Sequence, residues 1–179
     1  MKKAMTVGLA TGIILSLIFI GAGLVRHWIP VTTAATQWVF LGIFIFLIMA
    51  TFWISMSYYS RSVSAKWGKI NLTGFVASFI AAFIFSTAAY LYTEYVDPSY
   101  LSLMMEQDHK NFVASDLTAS AITGESKWTW FNSPYNFAIS NFKDSMAILL
   151  IVGLFIGSML HLRYKNRKED DFKNHELIF

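Results

Sequence analysis

The sequence predicts an all-α integral membrane protein: four transmembrane helices, N-in/C-in, with a long outer segment between helices three and four. Three observations carry this reading. Hydrophobic residues make up 55% of the 179-residue chain and charged residues only 14%, against roughly 25% charged in soluble domains. The apolar residues are gathered in four blocks separated by polar stretches, the hydropathy pattern of a polytopic membrane protein. The basic residues collect at one set of block ends, which fixes the orientation.

The first block runs unbroken from Met5 to Val25 behind Lys2 and Lys3. A secretory signal has an apolar run of about 7–15 residues and a small-residue cleavage site. This run is longer, and Gly21-Ala22-Gly23-Leu24 matches such a site poorly, so it reads as a retained helix. The remaining spans are Ala35–Met56, Leu72–Tyr92 and Met146–Leu162. Twenty-one residues at about 1.5 Å each reach roughly 31 Å, close to the hydrocarbon thickness. The fourth span is the shortest and borrows Ile139 and Phe142 on its outer side. None of the four, so drawn, contains Asp, Glu, Lys or Arg. The chain is then a single membrane domain over 1–179, with an outer segment at 93–145 and a cytoplasmic tail at 163–179.

Orientation follows from the Lys/Arg count. One side carries ten basic residues: Lys2, Lys3, Arg61, Lys66, Lys69, Arg163, Lys165, Arg167, Lys168 and Lys173. The other carries four, Arg26, Lys110, Lys127 and Lys143, among seven acids that include Glu94, Asp97 and Asp144. The basic side is therefore expected in the cytoplasm. Trp28, Trp38, Tyr90, Tyr92 and Tyr95 near the outer ends, with Tyr58, Tyr59, Trp67 and Tyr164 near the inner ends, fit aromatic belts at both interfaces. Because the charges border apolar blocks, the net charge of +3 does not indicate a nucleic-acid partner.

The three prolines, Pro30, Pro98 and Pro134, lie outside the spans. Asp97-Pro98 and Ser133-Pro134 each look like an N-cap followed by proline at the first helical position. Leu101, Met104, Met105 and Phe112 recur at helical spacing after the first. Tyr135, Ala138, Ile139, Phe142 and Met146 do so after the second, in a stripe that runs straight into span four. The outer segment is expected to be two amphipathic helices joined by a Ser/Thr/Ala/Gly-rich connection near 116–127.

Few residues offer chemistry. The absence of cysteine removes disulfides, thiolate metal sites and thiol nucleophiles. Glu106, Asp108 and His109 cluster in sequence, but Asp108 and His109 point about 100° apart on a helix and no second histidine stands nearby. They read as solvated charge. His161 reads as an interfacial residue beside Arg163. There is no glycine-rich phosphate loop and no nucleophile–base arrangement, so no enzymatic activity, metal or cofactor is expected. The clearest pattern is one of packing. Gly74, Ser78, Ala82 and Ser86 repeat every four residues along one face of span three, beside Phe75, Phe79 and Phe83. Gly8 and Gly12 in span one, and Gly153 and Gly157 in span four, are further small-residue pairs that let helix backbones approach. Trp128, Trp130 and Phe131 fit either an interfacial anchor or a docking edge for a partner.

The Lys2-Lys3 start leading into a glycine-containing span carries a resemblance, together with the basic turn at 58–68 and the Tyr95-x-Asp97-Pro98 run. Ser133-Pro134 before the last span and the basic ending at 163–168 complete it. These features, spread over nearly the whole chain, resemble the family catalogued as domain of unknown function 4199. The resemblance implies a four-helix bacterial inner-membrane protein and transfers no activity or site residue. From the residues themselves, the expected role is a non-enzymatic accessory or scaffold subunit in a larger inner-membrane complex. Its partners would be other integral membrane proteins, as a hetero-oligomer or a homodimer, and membrane lipids. The alternative, a lipid- or isoprenoid-phosphate-handling protein, would use Arg61, Lys66 and Lys69 to hold the phosphate.

Reporter fusions test the orientation. Fusions after Lys66 and after Lys168 are expected to report the cytoplasm, and one after Asp116 the opposite side. A cytoplasmic signal at Asp116 would break the four-span topology.

Overall fold

The computed structural model describes residues 2–28, 34–62, 67–103 and 133–176, all helical apart from a few turn residues and with no strand among them. The helices are α1 (Lys2–Trp28), α2 (Ala34–Ser62), α3 (Trp67–Leu91) and α4 (Pro134–Glu176). Four stretches are long and apolar enough to cross a bilayer: Lys2–Val25, Trp38–Ser60, Trp67–Val96 and Pro134–Tyr164. The protein is a multi-pass membrane protein.

The central helix is α3, which packs most closely against α1 and α4. Glycines explain why. A Cβ placed on Gly8 would lie 2.9 Å from both Thr73 O and Val76 Cβ, and one on Gly12 would lie 2.7 Å from Ile80 Cβ and 2.8 Å from Ala77 O. No side chain fits between those backbones. On the other side of α3, a Cβ on Gly74 would come within 3.7 Å of the Gly153 backbone of α4. Lipid tails are as apolar as leucine, so helices inside a bilayer associate through such close packing rather than through burial from water.

The contacts also set directions. Gly8 and Gly12 meet α3 in increasing order, and Phe19 follows against Phe85 with ring centroids 5.2 Å apart, so α1 and α3 are parallel. Gly74 meets Gly153 while Ser86 Oγ donates to Ala138 O at 2.9 Å, so α3 and α4 are antiparallel. The remaining helix, α2, lies across the α3–α4 seam. Ile48, Phe52, Met56 and Tyr59 are its buried stripe, with Phe52 on Gly153 and Met56 between Gly74 and Gly157. Phe44 of α2 packs edge-on against Phe19 of α1 at 4.9 Å, and the opposite face of α2 is an apolar perimeter that includes Trp38 at 71% exposed and Phe46 at 69%.

Hydroxyls inside the slab are satisfied locally. Thr11 donates to Val7 O, Ser60 to Met56 O, Thr73 to Lys69 O and Ser78 to Gly74 O, at 2.7–3.2 Å. This back-bonding is the usual solution where no water can serve a polar side chain. At its far end α3 widens into a π-helical turn, Tyr92–Val96, closed by Asp97 N donating to Tyr92 O at 2.8 Å. Asp97 Oδ1 then accepts from the backbone N and the hydroxyl of Ser99, capping the helical residues 100–103. Tyr100 stacks edge-on between Tyr92 and Phe137, tying this turn to the start of α4.

The helices outrun the apolar blocks. Span three begins at Trp67 rather than Leu72. The fourth helix begins at Pro134 rather than Met146, with Phe137 N donating to Ser133 O in its first turn. A helix ends where its backbone bonding is capped, not where its hydropathy falls. The stretch 134–145 therefore belongs to the fourth spanning helix and not to a separate outer one.

Gly12 and Gly23 make a matched pair of tests, since a Cβ on Gly23 would meet nothing within 4 Å. Gly12→Ala is expected to cost about 1–3 kcal/mol by forcing α1 off α3. Gly23→Ala is expected to be neutral or to gain up to about 1 kcal/mol of helix propensity. Chemical denaturation of the detergent-solubilised chain distinguishes them; equal stabilities would contradict the α1–α3 contact.

Candidate functional site

Moving the start of the fourth helix to Pro134 changes the position of two charges. Lys143 and Asp144 were expected outside the membrane; they lie inside the spanning helix. Their depth follows from the helices they run beside. Ala138 of α4 is level with Ser86 of α3, and Gly153 is level with Gly74. Lys143 and Asp144 fall between those two levels, just after Phe142, whose ring meets Phe79 edge-on at 6.0 Å. The stretch of α3 from Gly74 to Ser86 contains no charged residue. Both Lys143 and Asp144 are exposed, and Ser145 beside them is buried at 4%. The span drawn as Met146–Leu162 holds no charge, but the helix that carries it does, and its register sets Lys143 and Asp144 beside the uncharged middle of α3.

A charge at the centre of a spanning helix costs about 2.5–3.5 kcal/mol on insertion scales. Lysine recovers part of this by extending toward the headgroups, but the aspartate side chain is too short to do so. The signal in the sequence is the helical stripe from Pro134 through Ala138, Phe142, Ser145 and Leu149, with no further proline before Leu162. Counting charges within that whole helix, rather than within its apolar block, exposes the pair.

Asn71 is a second polar residue in the slab. It is 9% exposed, and neither its Oδ1 nor its Nδ2 has a hydrogen-bond partner among the described residues. It fits only because residue 157 is glycine: a Cβ there would run into Asn71 Oδ1. Leaving buried polar atoms unpaired costs about 1–3 kcal/mol. Gly68, Leu72, Phe75, Leu150 and Leu154 join Asn71 in lining an apolar groove of about 420 Å³ along the α3–α4 seam.

The other sequence-derived residues fall as follows. Gly74, Ser78 and Ala82 are buried and Ser86 is half-buried, while Phe75, Phe79 and Phe83 face outward. Lys2, Lys3, Lys69 and Arg163 are exposed at one end of the bundle, and Glu94 is exposed at the other. His161 is half-buried near the basic end. Lys69 precedes Asn71 by two residues and so points about 200° around α3 from it, away from the groove. The Arg61 side chain, Lys66, Glu106, Asp108, His109, Trp128, Trp130 and Phe131 lie outside the described residues. Among the described residues no three His, Asp or Glu side chains gather as a metal site.

This architecture agrees with the family comparison. The chain matches the family described as "Protein of unknown function (DUF4199)" over residues 6–166, from the first turn of α1 to just past Arg163. It belongs to that family. The matched range takes in all four spanning helices and the Lys143–Asp144 pair of this DUF4199 chain. No curated protein and no solved structure matches it.

The cysteine-free sequence allows depth to be measured directly. Asp144→Cys in membranes is expected to resist a membrane-impermeant maleimide from either side, whereas Glu94→Cys is expected to react. Ready labelling at position 144 would return the residue to the interface.

Proposed function

We propose that the protein is a non-enzymatic accessory or scaffold subunit of a larger membrane-protein assembly. The observation that carries this reading is Asp144, exposed on α4 beside the uncharged middle of α3. Charged residues in spanning helices almost always face protein or a water-filled cavity, because lipid offers them no partner. The four helices of one copy leave the Asp144 side chain on their perimeter, where a neighbouring protein is a better surrounding than lipid.

The same reading places the chain in a bacterial inner membrane with both ends in the cytoplasm. Support comes from Lys2, Lys3, Lys69 and Arg163 sharing one end of the bundle. With Lys143 inside the slab, only Arg26, Lys110 and Lys127 remain as basic residues on the other side, which sharpens the contrast. The segment leading from Val96 to Ser133 then lies outside the cytoplasm, where Trp128, Trp130 and Phe131 form a docking edge or an anchor.

The apolar groove beside Asn71 favours a second reading, lipid handling, in which Leu72, Phe75, Leu150 and Leu154 hold one acyl chain. The direction of Lys69 away from that groove weakens it, since the phosphate would find no basic partner on that face of α3.

Native-gel migration of the chain solubilised in mild detergent separates the two. A scaffold subunit is expected in a species well above its own 20.3 kDa, lost on Asp144→Leu substitution. A monomer carrying one tightly held lipid by native mass spectrometry would favour the lipid-handling reading instead.

A further inference from the structure

We propose that the groove between α3 and α4 seats one acyl chain of a glycerolipid, and that Asn71 holds the ester carbonyl of that chain. This rests on the lipid-handling reading of the groove and is independent of the scaffold reading. Shape selects the occupant. Leu72 and Leu150 are half-buried in the groove wall, while Phe75 and Leu154 open it to the perimeter at 51% and 47% exposure. Its volume of about 420 Å³ lies within the range of about 300–1,000 Å³ of small-ligand sites. Yet α3 and α4 stand so close that a Cβ on Gly74 would meet the Gly153 backbone at 3.7 Å. A third helix, about 10–12 Å across with its side chains, does not enter such a slot. A single hydrocarbon chain lying along the seam does.

Polar chemistry and depth select the class of lipid. Among the described residues that line the groove, Asn71 alone has a polar side chain. It is 9% exposed and its amide has no hydrogen-bond partner among the described residues. Oδ1 is turned against Gly157, so the Nδ2 end is directed away from the α4 backbone and calls for an acceptor. Depth names that acceptor. Helix α3 starts at Trp67, 52% exposed, whose Nε1–H donates to Ser158 Oγ at 3.4 Å across the seam. Tryptophan settles at the headgroup level. Asn71 stands four residues further along α3, roughly 6 Å deeper. The polar layer on each side of the hydrocarbon is about 5–7 Å deep, so Asn71 lies where glycerol esters give way to acyl chains. A chain whose carbonyl accepts from Asn71 then runs on past Leu72 and Phe75 towards Leu150. Lys69 points away from the groove, so the site reads ester and chain rather than headgroup charge.

Native mass spectrometry of the delipidated full-length chain tests this with three probes of equal chain length. They are diacyl phosphatidylglycerol, diacyl phosphatidylethanolamine and dialkyl-ether phosphatidylglycerol, the last of which keeps chains and headgroup but lacks the carbonyls. The wild type is expected to hold one molecule of either ester lipid with similar affinity. It is expected to hold the ether lipid about three- to tenfold more weakly, the worth of one hydrogen bond. Asn71→Leu is expected to bind ester and ether lipids alike, and its retained ether lipid shows that the variant folds. A Cβ on Gly68 would meet nothing within 4 Å, so Gly68→Leu fills the groove without straining the bundle and is expected to lose the lipid. Gly42→Leu, equally open but on α2, is expected to keep it. An ester preference absent from the wild type, or surviving in Asn71→Leu, would overturn the Asn71 pairing and leave the lipid-handling reading standing. A strong preference for one headgroup would overturn the reading of ester over charge. Lipid retained by Gly68→Leu would place it outside this groove. If the wild-type chain holds none of the three probes, the pairing and the lipid-handling reading both fail.

Discussion

The bundle depends on how near the backbone of α3 comes to its two neighbours. Within a bilayer there is no gain from hiding leucine from water, so a pair of helices holds together only as well as its atoms touch. Gly8 and Gly12 bring α1 onto the carbonyls of Thr73 and Ala77, and Gly153 brings α4 onto Gly74. With α3 held on both sides, α2 packs along one face: Phe44 meets Phe19 of α1, Phe52 and Met56 fill the seam between α3 and α4, and the opposite face points outward. Large side chains at the glycine positions would open every one of these contacts at once.

The same closeness governs where polarity can go. A hydroxyl fits inside because it bends back to its own helix, as Thr73 and Ser78 do. Ser86 reaches across to Ala138 and adds a directed bond between α3 and α4. Asn71 fits only in the space left by the missing side chain of Gly157. A lysine and an aspartate have no such space. The glycine-lined contact that holds α3 to α4 leaves no room for two charged side chains in the interior, and Lys143 and Asp144 therefore stand on the outer surface of α4. Tight packing inside and charge outside are two consequences of one geometry.

An outward charge within the apolar height in turn gives the perimeter a direction. The exposed surface of α2, from Trp38 through Phe46 and Ile54 to Tyr58, is apolar or aromatic and is as comfortable in lipid as in protein. The outward face of α4 is not uniform: Ile151, Leu154 and Leu162 suit lipid, and Asp144 does not. A charge beside apolar neighbours in a low-dielectric surrounding makes one level of that face unlike the rest.

Much of this could be read along the chain. Four apolar blocks gave four crossing helices, because hydropathy is summed over neighbours in sequence and a bilayer responds to that sum. Asp97-Pro98 announced a helix start, since the cap and the fixed proline φ act within one turn. Repeated small residues marked where a backbone might be approached. Which helix approaches Gly8 or Gly153 was not legible, because that choice lies between residues far apart in sequence. Nor was the depth of Lys143 and Asp144. Along the chain they precede an apolar block and look external; in the structure Ser86 against Ala138 and Gly74 against Gly153 set the register of α4 and place them level with the uncharged middle of α3. Hydropathy follows composition along one helix, whereas depth is a relation between helices, and only their packing fixes it.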